Sequence, residues 1–261
     1  MSIGSWAIGG TLLLFYSNRQ LVAFDVLIFI FAAGLMAFLP KAGACDDQEE
    51  LSERAAMTIG WKTIAKNNLL KTATIMDVIE TFANSVWIAA IVLVFVKTSL
   101  HASENWWGYI NASYFAGAII GGFVCYRWAT LIDRQKGTFI FIGAGLTALA
   151  TVCMSFITHP LVALGCSLMV GLFGQIKSIP QSTAIQQNVT NDRLAPVYAA
   201  MNVLYTASFS LSSLLIGGVA QWFGVQHVFI LSAMLLVLTA AIAKMRAPLF
   251  NERQAGHTDC H

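Results

Sequence analysis

Long apolar blocks separated by short polar breaks recur along the chain. A helix needs roughly 20 mostly apolar residues to cross the hydrocarbon core of a bilayer. Seven blocks approach or exceed that length: Leu21 to Phe38, Thr72 to Val96, Trp107 to Tyr126, Phe139 to Ile157, Leu161 to Pro180, Val197 to Trp222 and Gln226 to Ala243. An eighth, Ile3 to Tyr16, is too short to cross comfortably. It has neither a basic n-region nor a convincing cleavage site, so it reads as a clipped span and not as a signal-peptide core. The pattern predicts an all-α fold, a polytopic bundle of membrane-spanning helices.

One polar break is long. Residues 39 to 71 open with an acidic stretch (Asp46, Asp47, Glu49, Glu50, Glu53) and continue into Trp61, Ile64 and Leu69 interleaved with Lys62, Lys66 and Lys71. The second part is expected to form a short helix lying at the membrane surface. The acidic part reads equally well as a solvated linker with no partner.

Short cytoplasmic loops hold an excess of Lys and Arg. With alternating spans, one side collects twelve basic residues: Lys41, Arg54, Lys62, Lys66, Lys71, Arg127, Arg134, Lys136, Arg193, Lys244, Arg246 and Arg253. The other side collects two, Arg19 and Lys97, while Lys177 falls within a span. This bias places residues 39 to 71 and the C-terminus in the cytoplasm.

Composition narrows the function class. Apolar residues fill 57% of the 261 positions and charged residues 11%, about half the usual charged share and too few to cover a soluble surface. The net charge of +2, with its cations scattered, gives no nucleic-acid footprint. Cys45, Cys125, Cys153, Cys166 and Cys260 show no paired spacing, and no disulfide framework is expected. There is no phosphate-binding G-x-x-x-x-G-K-[ST] loop, so energy, if used, comes from an ion gradient. The tail residues His257, Asp259, Cys260 and His261 have metal-ligand types without metal-ligand spacing. That tail, 247–261, is expected to be disordered and cytoplasmic, and neither metal nor cofactor is expected.

Chemistry is sought where polarity interrupts a span, because an ionisable group in hydrocarbon usually faces a cavity or a partner. Asp77, Glu80 and Asn84 share one helical face, with Trp87 close by. Lys177 lies in the Leu161 to Pro180 span beside Gln175 and Gln181, at a depth similar to the two acids, so an ion pair is geometrically open to them. On the functional reading Glu80 or Asp77 binds a proton in exchange for a cationic or amphiphilic substrate; burial disfavours the carboxylate charge and Lys177 favours it. On the bland reading all three charges are hydrated near the interface and only anchor helix ends. The Asp77/Glu80 pair is the only carboxylate cluster inside a span and has no His or second acidic motif beside it, which argues against an enzyme. Asn111 and Tyr114 follow the aromatic belt of Trp106, Trp107 and Tyr109 at helical spacing and are candidates to face a cavity. Gly117, Gly121 and Gly122, like Gly217 and Gly218, are expected to let helices approach closely.

Six spans after a charged cytoplasmic loop resemble one half of a major facilitator superfamily transporter. Ile8-Gly9-Gly10-Thr11 and Phe24 to Pro40 look like spans five and six of that superfamily's first half, and Gly60-Trp61-Lys62 through Leu70 looks like the approach to span seven. Leu131-Ile132-Asp133-Arg134-Gln135-Lys136-Gly137 resembles its cytoplasmic G-x-x-x-D-R-x-G-R-R loop, with Ala129 in place of the first Gly and Lys136-Gly137 in place of Gly-Arg. Pro180-Gln181-Ser182-Thr183, Gln186-Gln187-Asn188-Val189 and Asn191-Asp192-Arg193-Leu194-Ala195 look like the span ten to eleven connection of the macrolide-efflux and enterobactin-exporter branch.

The resemblance implies a C-terminal six-helix half, residues 72–246, preceded by a remnant of the other half, 1–40, and a linker, 41–71, with an interfacial helix. It implies a proton-coupled exporter of drug-like or siderophore-like molecules in a bacterial cell membrane. Asp77, Glu80, Asn84, Trp87, Asn111, Tyr114 and Lys177 would lie on the substrate and proton pathway, and Asp133 and Arg134 in a gating loop. The implied partners are lipid, a small-molecule substrate, a proton or other coupling ion, and either the missing half or a second copy. The alternative is a truncated, non-transporting membrane fragment or a partner of another membrane protein.

The charge bias predicts a labelling pattern. A cysteine introduced between residues 41 and 54 should react with an impermeant thiol reagent only once the inner face is exposed, and one near Ser103 should react from outside. The reverse pattern overturns the orientation.

Overall fold

The computed structural model describes residues 26–31, 34, 53–87 and 89–251, in two units, Met1–Glu53 and Arg54–His261. In the first unit residues 26–31 are helical. Most of the expected span Leu21 to Phe38, the Ile3 to Tyr16 block, the acidic residues Asp46 to Glu50 and the tail beyond Asn251 lie outside the described residues. The first part of the tail expected to be disordered, Ala247–Asn251, is instead helical because Phe250 is buried in the bundle.

Helix α1 (Glu53–Lys66) leads into α2 (Asn68–Asn84), a 3-10 turn at Ser85–Trp87 and α3 (Ala89–Thr98). There follow α4 (Asn105–Arg127), α5 (Ala129–Arg134), α6 (Lys136–Phe156), α7 (Pro160–Gln187), α8 (Asn191–Phe223), α9 (Val225–Met245) and α10 (Ala247–Asn251). By length and composition α4, α6, α7, α8 and α9 can each cross a membrane, and α2 with α3 supplies a sixth crossing if the bent pair is one span. The described part of the chain is thus an all-helical bundle with five or six candidate spans.

The expected span Thr72 to Val96 differs from the observed one at its start and in its middle. It begins earlier because Asn67 caps α2: its Oδ1 accepts the backbone N–H of Leu69 at 2.9 Å and of Leu70 at 3.3 Å. It then bends by 44° between the α2 end and the later residues of α3. Hydroxyls gather at the bend. Thr81 and Ser85 donate to the carbonyls of Asp77 and Thr81, each four residues back, and such back-bonding bends helices. Ser85 also pairs with the Ser212 hydroxyl of α8, while Ser232 of α9 donates to the Ala83 carbonyl in the last turn of α2. Neighbouring helices thus satisfy polar groups at a helix end that lipid cannot solvate.

The linker helix is also shifted. Trp61 and Ile64 of α1 pack into the bundle, joining Leu69, Leu70, Ala184, Val197 and Phe250 at one end of it. The approach is close enough that a Cβ on Gly60 would lie 2.2 Å from the Pro196 carbonyl oxygen of α8. A second apolar cluster, built on Phe95, Ile110, Met154, Ile216 and Phe229, holds the opposite end. Each cluster takes the start of some helices and the end of others, so consecutive spans run antiparallel. At that opposite end Lys97 and Glu104 pair at 2.6 Å, and this hydrogen bond, with the ammonium charge, holds the Glu104 carboxyl below its usual range.

The tightest crossing joins α4 and α7. Added Cβ atoms would meet the Leu168 carbonyl oxygen at 1.9 Å from Gly117, the Leu172 carbonyl oxygen at 2.5 Å from Gly121, and the Tyr114 carbonyl oxygen at 2.0 Å from Gly171. Ser113 and Ser167 donate across the same seam to the carbonyls of Leu164 and Ile110. Gly122, Gly217 and Gly218 are not at such crossings: no described atom lies within 4 Å of where their Cβ would stand. Gly117→Ala or Gly171→Ala should therefore cost about 1–3 kcal/mol through forced backbone separation. Gly122→Ala should be neutral or gain up to about 1 kcal/mol of helix propensity. Unfolding midpoints in detergent check both, and equal effects at all three positions would refute the packing assignment.

Candidate functional site

The i, i+3 spacing of Asp77 and Glu80 on α2 turns both carboxylates toward α7, and Lys177 meets them there. Lys177 Nζ donates to Glu80 Oε2 at 2.6 Å and lies 3.6 Å from Asp77 Oδ1. One turn further along α7, Gln181 Nε2 donates to Asp77 Oδ1 at 2.7 Å. The Lys177 side chain is 6% exposed, Glu80 16% and Asp77 38%, so the cluster is graded from a buried cation to a half-open acid.

The ammonium is placed by backbone packing. A Cβ on Gly143 of α6 would lie 2.8 Å from both the Lys177 nitrogen and its Cβ, so α6 seats α7 at this residue. Gln181 is buried, and its Oε1 has no hydrogen-bond partner among the described residues. The site therefore holds an unused acceptor beside the more exposed acid.

Asp77, Glu80 and Asn84 form one wall of a groove of about 300 Å³. The other wall is α8, which contributes Tyr198, Met201, Asn202, Tyr205 and Phe209. That α8 wall went unread in the sequence, although Tyr198, Asn202 and Tyr205 recur at helical spacing. Its polar atoms are sparse among Ser and Thr that look inward to their own helix, as Ser210 and Ser213 in fact do.

The remaining expected residues separate into three places. Trp87 stacks on Tyr114 (centroids 6.0 Å apart, planes 30°) and meets Phe229 edge-on at 6.0 Å, just before the bend. The Trp87 indole N–H is buried with no acceptor among the described residues. Asn111 is turned back on its own helix, donating to the Trp107 carbonyl at 2.8 Å, and does not join this group. Asp133 and Arg134 lie on α5 at the far basic end. Asp133 pairs with Lys136 at 2.8 Å and accepts from Gln187 of α7 at 2.9 Å, whereas Arg134 is exposed.

A helical bundle of five or six candidate spans is the build of a multi-pass membrane protein. The sequence profile of the Major Facilitator Superfamily matches residues 1–213 and, in a second match, 73–258. The chain belongs to that superfamily, whose members are multi-pass membrane transporters of small molecules and not enzymes. It is 30% identical to the uncharacterized MFS-type transporter YfmI of Bacillus subtilis, over 90% of this chain and 58% of the relative. It is also 30% identical to the uncharacterized MFS-type transporter YjbB of the same organism, over 95% of this chain and 61% of the relative. A third, the uncharacterized MFS-type transporter YvqJ, is 23% identical over 97% and 62%. The chain spans about three fifths of the length of the curated relatives it matches. No solved structure gives a significant match.

The ion pair sets a stability prediction. Lys177→Gln leaves Glu80 buried without its cation, which should cost about 3–5 kcal/mol. Lys177→Gln with Glu80→Gln should recover most of that loss. Unfolding midpoints and membrane abundance of the two singles and the double form the cycle, and additive losses would show that the pair carries no coupling.

Proposed function

We propose that this bundle is the ion-coupled half of a secondary transporter that exports cationic or amphiphilic small molecules, drug-like or siderophore-like, in exchange for protons. The observation that carries the reading is the Lys177, Glu80 and Asp77 cluster opening onto the groove between α2 and α8. A carboxylate beside an open groove can hold either a proton or a cationic substrate, and mutual exclusion of the two is the coupling. Glu80 is committed to Lys177 at 2.6 Å, whereas Asp77 is more exposed and held chiefly by a neutral amide. Asp77 is therefore the exchanging acid, and Glu80 with Lys177 fixes its position.

Transporters of this superfamily are built from two six-span halves that bind substrate between them. In this reading the groove faces an opposing half, and Tyr198, Asn202, Tyr205, Trp87 and Tyr114 line the substrate path. Asn111 belongs on that path only if its helix bond to Trp107 opens. Asp133 and Arg134 act at the cytoplasmic gate, where Asp133 ties the α5 turn to the end of α7. The bacterial relatives support a cell membrane location, and the basic bias alone supports a cytoplasmic C-terminus. The domain division follows: residues 72–246 transport, and 41–71 links them to 1–40.

The test uses liposomes loaded with fluorescent lipophilic cations under an imposed proton gradient. The chain co-expressed with the N-terminal part of YjbB should move dye against its gradient and release protons in step. Asp77→Asn should abolish proton-driven movement while the protein stays folded, and Glu80→Gln should lower abundance as well. Export that survives Asp77→Asn with its proton coupling intact would sink this reading. Full gradient-driven export by the 261-residue chain alone would show that no opposing half from elsewhere is required.

A further inference from the structure

The basic residues of α1 and the first turn of α2 form a group distinct from the transport site. Lys62 and Lys66 are four residues apart on the exposed face of α1, while Trp61 and Ile64 bind its other face to the bundle. Lys71, in the first turn of α2, is exposed as well. One turn along the same face stands Ile75, 45% exposed, which marks this face of the span as lipid-covered. Lys71 thus sits where the apolar surface of the span gives way to polar surroundings, the depth of lipid headgroups. Among the described residues Lys97, Lys136, Lys177 and Arg193 have carboxylate partners; Lys62, Lys66 and Lys71 have none, as is also true of Arg127, Arg134, Lys244 and Arg246. What sets the three lysines apart is their place on α1 and the adjoining first turn of α2.

We propose that α1 and the start of α2 form a docking surface for anionic phospholipid headgroups, with Lys62, Lys66 and Lys71 as the cations that bind them. Charge complementarity selects the occupant: three unpaired ammonium groups beside a lipid-covered face match phosphodiester anions held at the same depth. The close contact of Gly60 with Pro196 and the burial of Ile64 fix α1 against α8. The cationic face is therefore ordered before lipid arrives, which lowers the entropic cost of binding. Through Pro196 the bound lipid also bears on α8, one wall of the groove. The surface itself is independent of what the groove transports.

Thermal unfolding of the full chain in an uncharged detergent, with phosphatidylglycerol or phosphatidylcholine added, tests this. Phosphatidylglycerol should raise the midpoint and phosphatidylcholine should not. Each of Lys62→Gln, Lys66→Gln and Lys71→Gln should weaken the apparent affinity for phosphatidylglycerol about fivefold, and the effect should fade with salt. Lys97→Gln, at the opposite end, should leave it intact. The three single variants, all at exposed positions, keep the test readable even if the triple variant does not fold. Equal stabilisation by phosphatidylcholine or by inorganic phosphate overturns the proposal, as does full retention in the triple variant. A phosphatidylglycerol effect that emerges only after Asp46, Asp47, Glu49 and Glu50 are changed to amides would overturn it in favour of the chain's own acidic stretch.

Discussion

A buried ammonium inside a lipid-immersed helix must be neutralised locally, and the bundle is arranged around that requirement at Lys177. The Lys177 side chain is itself 6% exposed, and lipid offers no counter-charge, so an unpaired Lys177 would cost several kcal/mol. Two elements answer it. Glu80 and Asp77 bring α2 alongside α7 at this level, and Gly143 lets α6 approach the Lys177 backbone without a clash. The relative heights of three spans are therefore fixed at one residue.

Around this point the helices are held in two different ways. Between α4 and α7 the contact is backbone on backbone, through Gly117, Gly121 and Gly171, and sliding would bring carbonyls against Cα atoms at once. Close-packed interfaces of that kind resist graded deformation. Between α2 and α8 the join at the bend is a pair of hydroxyls, Ser85 and Ser212, and much of the surface of α8 is exposed. The groove thus has α2 as one wall, tied to α7 by the ion pair, and α8 as the other, joined to α2 by the Ser85 and Ser212 hydroxyls and by the apolar cluster at the opposite end.

The spans were legible because lipid imposes one simple rule, a sustained apolar run, and Thr72 to Val96 or Gln226 to Ala243 obey it regardless of tertiary detail. Asp77, Glu80 and Lys177 were legible for the same reason, since charge within such a run is rare and costly. What escaped was set by contacts between runs. The hydroxyl contacts just before the bend join Ser85 and the Ala83 carbonyl to Ser212 and Ser232, residues far along the chain. The seating of Trp61 and Ile64 depends on a surface contributed by α8 and α10, which amphipathic character alone does not reveal. Tyr198 and Tyr205 carry no charge to mark them, and Asn111 could be placed on a face but not assigned a partner without its helix neighbour Trp107.

The bend and the charge cluster are linked by the helix they share. From Glu80 to Ser85 is little more than one turn, so α2 cannot rotate its carboxylates away from Lys177 without also turning the carbonyl of Ala83 away from Ser232 and the Ser85 hydroxyl away from Ser212. Each of those groups sits where lipid or packed side chains replace water, so losing one partner requires finding another. The charge cluster and the contacts of α2 to α8 and α9 thus lie within about two turns of one helix. Ser85 donates to the Thr81 carbonyl and pairs with the Ser212 hydroxyl, so rotating this end of α2 breaks a contact to α8 that water is not there to replace.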